Sequence, residues 1–292
     1  MGEYAQMNVT KRFATSGGAS TSMQAVAPLL KWPGGKRAIV KHILPLIPSE
    51  FGRYFEPFLG GGALFFALLP THAVLADKNA ELINCYRWVQ KAPEELISLL
   101  SKMQNSAEAY YQIRNTEPHN EIERAARLIY LTTLSFNGIH RVNLDGRFNV
   151  PYGYKTHLSP CDPLRIRSAS ASLQGKTLQC GDFAESVQEA KSGDVVYLDP
   201  PYTVAHGSNG FLKYNAKIFS WEDQERLANL ALELDKRGCS VLVSNADHVT
   251  LRTLYSRFFT LTIERPSRIA AQGIYRKAIT ECLFHNRGTE HA

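Results

Sequence analysis

The sequence predicts an α/β fold: an open, largely parallel sheet with helices on its faces and a mostly helical subdomain inserted in its first half. Three observations predict it. Short apolar, strand-favouring runs at 54–58, 73–77, 178–183, 195–198 and 240–245 alternate with helical periodicity. A triple glycine, Gly60-Gly61-Gly62, stands between the first of these runs and a helix. Glycines there let the backbone approach a ligand, and the helix N-terminus adds positive potential. Finally, Val195-Val196-Tyr197-Leu198 ends abruptly in Asp199-Pro200-Pro201-Tyr202. Two prolines cannot donate to a ladder, so the chain is forced into a rigid corner at the carboxyl end of a buried strand, the end at which open α/β sheets hold ligands.

The elements follow in order. The 292 residues, 44% of them hydrophobic, suffice for one large domain, or for one domain carrying a smaller insertion. Residues 1–27 are rich in Ser, Thr, Gly and Ala and are expected to form a mobile leader. Lys31-Trp32-Pro33-Gly34-Gly35-Lys36 then sets two lysines around an aromatic and a glycine pair. Arg37 follows the second lysine, so the phosphate-loop spacing is absent. This segment reads equally as a ligand loop or as a plain loop with solvated lysines before a helix over 37–46. After the triple glycine, Ala73-Val74-Leu75-Ala76-Asp77 is the next strand, and Asp77 lies seventeen residues beyond Gly60. That is near the spacing at which an acid grips ribose hydroxyls, the alternative being an N-cap for the helix opening at 79 or 80.

From 81 to about 129 apolar residues recur at three and four, as in Leu82, Tyr86 and Val89. This helical run ends in a segment, 136–153, whose Asn137-Gly138 and Asp145-Gly146 pairs mark tight turns and a β-hairpin. Asn137, Arg141, Asn143, Arg147 and Asn149 are side-chain types that read base edges, and Phe136 and Tyr152 suit stacking. Ordinary polar decoration of a surface hairpin is the alternative. Residues 203–219 are expected to be a loop over the site, and 223–237 an amphipathic helix closed by Gly238. Residues 258–263 and 281–284 read as closing strands.

Composition narrows the classes. No run of roughly eighteen apolar residues occurs and the N-terminus lacks a signal-peptide pattern, so a cytoplasmic protein without a membrane span is expected. Five scattered cysteines without a C-x-x-C pair argue against a zinc site and a disulfide framework, and no metal is expected. The net charge of +6 is compatible with a nucleic-acid partner without requiring one.

Taken together, Lys-Trp-Pro-Gly-Gly-Lys (31–36), Glu-Pro-Phe-Leu-Gly-Gly-Gly (56–62), Phe-Asn-Gly (136–138), Arg-Val-Asn (141–143), Gly-Arg-Phe-Asn-Val-Pro-Tyr-Gly (146–153) and Asp-Pro-Pro-Tyr (199–202) resemble the Dam-type DNA adenine methyltransferases. The likeness spans roughly 28–285. It implies a Rossmann-like S-adenosylmethionine-dependent methyltransferase sheet, with 28–79 and 161–292 catalytic and 80–160 a target-recognition subdomain. It implies S-adenosyl-L-methionine as cofactor and double-stranded DNA as partner, with the protein monomeric on DNA and nucleoid-associated through it.

By matching positions, the resemblance assigns Asp199, Pro200 and Tyr202 to catalysis. It assigns Trp32, Lys36, Phe58, Gly60, Gly62, Asp77, Asp182 and Asp199 to the cofactor, with Asp77 on the ribose. Lys31, Phe136, Asn137, Ile139, Arg141 and Pro151 are assigned to DNA recognition. In the subgroup that recognises GATC these positions carry Lys, Leu, Arg and Pro, for which this chain has Lys31, Ile139, Arg141 and Pro151, so the same tetranucleotide is expected. Phe136 stands where the wedge is often tyrosine. Competing readings are an inactive DNA-binding relative, and an amino-methyltransferase for cytosine N4 or RNA. The cytosine enzymes tend to have Ser at the position of Asp199, and the missing strict glycine fingerprint counts against a nicotinamide oxidoreductase.

Overall fold

A computed structural model describes residues 26–143, 145–203, 219–266 and 278–287. Seven strands are present among them: β1 Tyr54–Glu56, β2 Ala73–Asp77, β3 Thr177–Cys180, β4 Val195–Leu198, β5 Ser240–Ala246, β6 Phe259–Pro266 and β7 Ala278–His285. They form one sheet in the order β3-β2-β1-β4-β5-β7-β6. β1 to β5 are mutually parallel, and β7 runs antiparallel between β5 and β6. The chain winds outward from β1 to β3 on one side and from β4 through β5 on the other. The reversal therefore falls between β1 and β4, where crevices open in wound sheets.

The central strands read as unbroken apolar runs because both their faces are covered. Every residue of β4 and β5 is buried. Side chains alternate between two cores with the strand period of two. Tyr54, Val195, Tyr197 and Leu242 enter one core. Phe55, Val196, Leu198, Val241 and Val243 enter the other.

The first core is covered by the expected helical run, which divides into α3 Ala80–Lys91, α4 Pro93–Ser101, α5 Ala107–Asn115 and α6 Glu121–Leu134. These follow α1 Val40–Ile43 and α2 Ala63–Leu68. The apolar residues of α3 to α6 share one cluster with those of β1, β2 and β4, and α3 packs on β2 and β3 as well as on α6. The second core is covered by α8 Phe183–Ser186, α9 Trp221–Lys236 and α10 Val249–Leu254.

Three differences from the sequence reading have local causes. The helix expected over 37–46 is only α1 followed by a 3-10 turn, Leu44–Leu46, because Pro45 has no amide to continue the ladder. α7, Pro163–Leu173, was not anticipated, since buried serines (Ser170, Ser172) blur its apolar stripe. Its start is nonetheless signalled by Asp162, which accepts the Arg165 amide at 3.1 Å, with Pro163 behind it. The expected hairpin is held by two antiparallel bridges, Ser135 to Tyr152 and Val142 to Phe148, without continuous strands. Most of the expected leader and of the 203–219 loop lies outside the described residues.

α2 begins at Gly62, which is left-handed (φ 65°) and offers no capping side chain. Nearby, the buried Glu56 carboxyl of β1 accepts the Tyr54 hydroxyl at 2.8 Å, and the Phe65 amide in the first turn of α2 favours its charged form. Burial raises its pKa from 4.5 to about 8. At neutral pH the folded state thus holds a proton that the unfolded chain has released. The stability tied to that proton is complete below about pH 4.5 and is lost as pH rises towards about 8. Glu56→Gln is expected to flatten this loss. Denaturant melts of both proteins across that window check it, and parallel curves would refute it.

Candidate active site

β4 delivers Asp199 to the carboxyl edge of the sheet beside β1. The Lys36 ammonium meets Asp199 Oδ1 at 2.8 Å, with the two side chains only 6% and 16% exposed. Lys36 also donates to the Gly34 carbonyl at 2.7 Å and lies 4.7 Å from the centre of the Tyr202 ring. The 31–36 segment and the Asp-Pro-Pro-Tyr corner are therefore one site. Two residues that sequence reading missed brace the corner from behind. Gln224 of α9, fully buried, donates to the Pro201 carbonyl at 3.4 Å and accepts from Asn245 of β5 at 3.1 Å. Their only sequence signal is a polar residue inside an apolar stripe or strand.

The glycine turn is organised by Asp77. Its two oxygens accept the Gly60 and Asn79 amides, each at 2.9 Å. Burial raises its pKa above the usual carboxylate value, the backbone amides opposing that shift. The cap of α3 is Asn79, which accepts the Leu82 amide at 3.0 Å; Asp77 is not that cap. Gly60 is left-handed (φ 48°), and a Cβ there would stand 3.0 Å from the Trp32 ring. Tyr86 of α3, expected only as an apolar position, donates to the Gly60 carbonyl at 3.1 Å.

On the other flank Phe58 stacks on Phe183 at 5.4 Å and meets Phe219 edge-on at 5.7 Å. Asp182 caps α8 through the Ala184 amide at 3.0 Å and pairs with Arg226 at 3.0 Å. The Gly181 amide donates to the Asp77 carbonyl at 3.3 Å, so Asp77 and Asp182 end neighbouring strands. Trp32, Lys36, Phe58, Gly60, Gly62, Asp77, Asp182 and Asp199 thus follow one edge of the sheet.

The recognition candidates form a second group. Lys31, Phe136, Asn137, Arg141 and Pro151 are exposed, and Ile139 is half-buried. Phe136 shows 54% of its surface, unusual for a phenyl ring, and Asn137 behind it is left-handed (φ 55°). The Phe136 amide donates to the Pro151 carbonyl at 2.9 Å. Arg141 is aimed by Asn149, whose side-chain oxygen accepts Nε at 2.8 Å. Lys31 runs against Gly138, where a Cβ would come within 2.6 Å of its stem. His140, missed from sequence, stacks on Trp32 with ring centres 4.4 Å apart. Among the described residues no group of three or more His, Cys, Asp or Glu is placed to hold a metal ion, and no helix is long and apolar enough to cross a membrane.

The sheet, with its single antiparallel strand and its acid-proline corner at the switch point, is that of a Rossmann-like methyltransferase. A family model of the D12 class N6 adenine-specific DNA methyltransferases matches residues 32–269. The chain is 41% identical over 271 residues to the type II methyltransferase M1.LlaDCHI of Lactococcus lactis subsp. cremoris, covering 89% of this chain and 95% of that protein. It is 33% identical over 286 residues to the type II methyltransferase M.MjaIII of Methanocaldococcus jannaschii, covering 89% and 99%. It is 32% identical over 261 residues to the DNA adenine methylase of Escherichia coli K12, covering 87% and 93%. The chain belongs to the D12 class N6 adenine-specific DNA methyltransferases, enzymes whose substrate is adenine in DNA.

The Lys36–Asp199 pair generates a stability test. Removing one partner of a buried ion pair strands the other charge, at a cost on the order of 3 kcal/mol, whereas removing both costs less than the sum. Lys36→Met and Asp199→Asn are each expected to destabilise, and the double variant to recover part of the loss. Urea melts of the four proteins check this; strict additivity would show that the pair is not coupled.

Proposed function

We propose that this enzyme transfers the methyl group of S-adenosylmethionine to N6 of an adenine flipped out of duplex DNA, within GATC, acting as a monomer with 80–160 as its target-recognition part. The observation that carries the proposal is the joining of Lys36, Asp199 and Tyr202 at one corner, next to the Gly60 turn held by Asp77.

The residues fit the cofactor. A carboxylate has about four lone-pair positions, and Asp77 uses two on backbone amides, which leaves capacity for ribose hydroxyls. The left-handed Gly60 and Gly62 add no side chain of their own to the turn before α2, which suits a close approach of the methionine part. Trp32, Lys36, Phe58 and Asp182 would line the remainder. When bound, S-adenosylmethionine supplies an electrophilic sulfonium methyl.

Adenine's amino lone pair is delocalised into the ring and is a poor nucleophile. The base must also leave the stack before it can enter a pocket. The Asp199 carboxylate and the Pro200 carbonyl would accept the two N6 hydrogens and draw the nitrogen towards a tetrahedral shape, localising the lone pair. The proline ring fixes the backbone on which that carbonyl sits. Tyr202 would stack on the base, an interaction worth about 1–3 kcal/mol. Positioning and electrostatics, with no covalent enzyme intermediate, would supply the rate.

The expectation of GATC rests on the resemblance at the recognition positions, and the exposed group is compatible with it: Lys31 and Arg141 would donate to guanine N7 and O6, Ile139 and Pro151 would contact thymine methyl groups, and Phe136 would wedge between bases. Labelled S-adenosylmethionine, plasmid DNA and mapping of the methylated bases test both cofactor and site. Label at adenines outside GATC would refute the tetranucleotide, and absence of label would refute the cofactor. Asp199→Ala is expected to reduce methyl transfer on the order of 10²-fold or more while duplex binding survives. Near-wild-type turnover would sink the role given to it. Arg141→Ala is expected to cost about 1–3 kcal/mol of discrimination at one guanine and little cofactor affinity. Competition between matched and single-substituted duplexes reads this, and an unchanged preference would overturn the assignment.

A further inference from the structure

The recognition group and the cofactor group touch at one place. Trp32 and His140 are nearly parallel, 18° apart with centres 4.4 Å from each other. His140 also meets Phe148 edge-on at 5.6 Å, and Phe148 is buried and bridged to Val142 across the hairpin. Trp32 in turn borders the glycine turn. A Cβ at Gly60 would stand 3.0 Å from its ring, and one at Gly61 would stand 3.5 Å from its Cβ. A continuous set of contacts therefore runs from Phe148 through His140 and Trp32 to Gly60, whose amide is held by Asp77. His140 is also the residue before Arg141, whose carbonyl accepts the Asn149 amide at 3.1 Å while Asn149 orients its guanidinium. Arg141 and His140 are thus joined by a single peptide unit. One residue before Trp32, Lys31 repeats the connection by packing on Gly138.

We propose that His140 is a positioning residue that couples the two sites: its stack on Trp32 makes engagement of the correct DNA site and binding of the cofactor at the glycine turn favour one another. The inference rests on the reading of S-adenosylmethionine and duplex DNA given above. Packed interiors shift between discrete arrangements, so a stacked pair whose rings each have a further neighbour passes on a displacement that a loose contact would absorb. Coupling is reciprocal in binding, and a typical value is on the order of fivefold or more in affinity.

S-adenosylhomocysteine, which carries no transferable methyl, is the probe. Its affinity is measured by titration calorimetry on the free protein, on protein saturated with a duplex carrying the mapped methylation site, and on protein with a scrambled duplex. In the wild type the matched duplex is expected to tighten the probe about fivefold or more relative to the scrambled one. In His140→Ala that ratio is expected to fall to about one, with the scrambled-duplex affinity little changed. His140→Phe, which keeps a flat ring, is expected to restore the ratio. A merely structural role would weaken every affinity together and leave the ratio intact. An alanine variant with the wild-type ratio, a phenylalanine variant without it, or a wild type with no ratio overturns the proposal. Failure of wild-type protein to bind the probe in any state overturns the cofactor reading itself, and the inference with it.

Discussion

An ammonium and a carboxylate 2.8 Å apart, both largely withdrawn from water, tie the two halves of this enzyme's site together. Either charge left alone in that position would remove a large part of the stability a domain has, because a buried ion without its partner is costly. Lys36 stands before the first strand of the sheet and Asp199 ends the fourth. Their pairing requires that the segment before β1 cross the carboxyl edge of the sheet at the point where the strand order reverses. Once it does, Trp32 lies over the glycine turn, Lys31 reaches the recognition segment, and Tyr202 comes to rest against the Lys36 ammonium.

The same edge carries a row of acids in different states. Glu56 is deepest, accepts the Tyr54 hydroxyl, and is held protonated at neutral pH by burial. Asp77 is held by two backbone amides, which favour its charged form against the burial that opposes it. Asp182 faces the Arg226 guanidinium at the outer end. Environment, more than residue type, therefore separates the structural acid from those placed to meet a ligand. Distance from the core and access to amide donors or cations are what differ along the row.

The exposed group around the hairpin shows another constraint. Phe136, Lys31 and Arg141 stand in solvent and yet are held in place. Left-handed backbone at Asn137, the Asn149 carboxamide beside Arg141 and the close approach of Lys31 to Gly138 each reduce that freedom. If they meet DNA as proposed, ordering these long side chains beforehand lowers the entropy lost on binding. The hairpin that bears Phe136 and Arg141 is anchored by Tyr110, whose hydroxyl donates to the Val150 carbonyl at 3.0 Å, and by Tyr152, which donates to Asn105 at 2.6 Å.

Much of this was legible in the chain itself. The apolar runs marked all seven strands found among the described residues, and the signal is most continuous at β4 and β5, which are buried throughout. The Gly60–Gly62 turn and the Asp199–Tyr202 corner could be placed because glycine and proline act locally, through the backbone angles they allow or forbid. What the sequence could not carry is any relation between distant side chains. That Lys36 would meet Asp199, that Tyr86 would hold the Gly60 carbonyl, and that His140 would lie flat on Trp32 depend on how helices are laid against the sheet. Those placements are set by packing of the two cores, a sum of many weak contacts that leaves no mark at any single position. The sequence determined which residues turn, extend and bear charge; the tertiary structure decided which of them share one site, because only three-dimensional packing brings a buried charge to its partner.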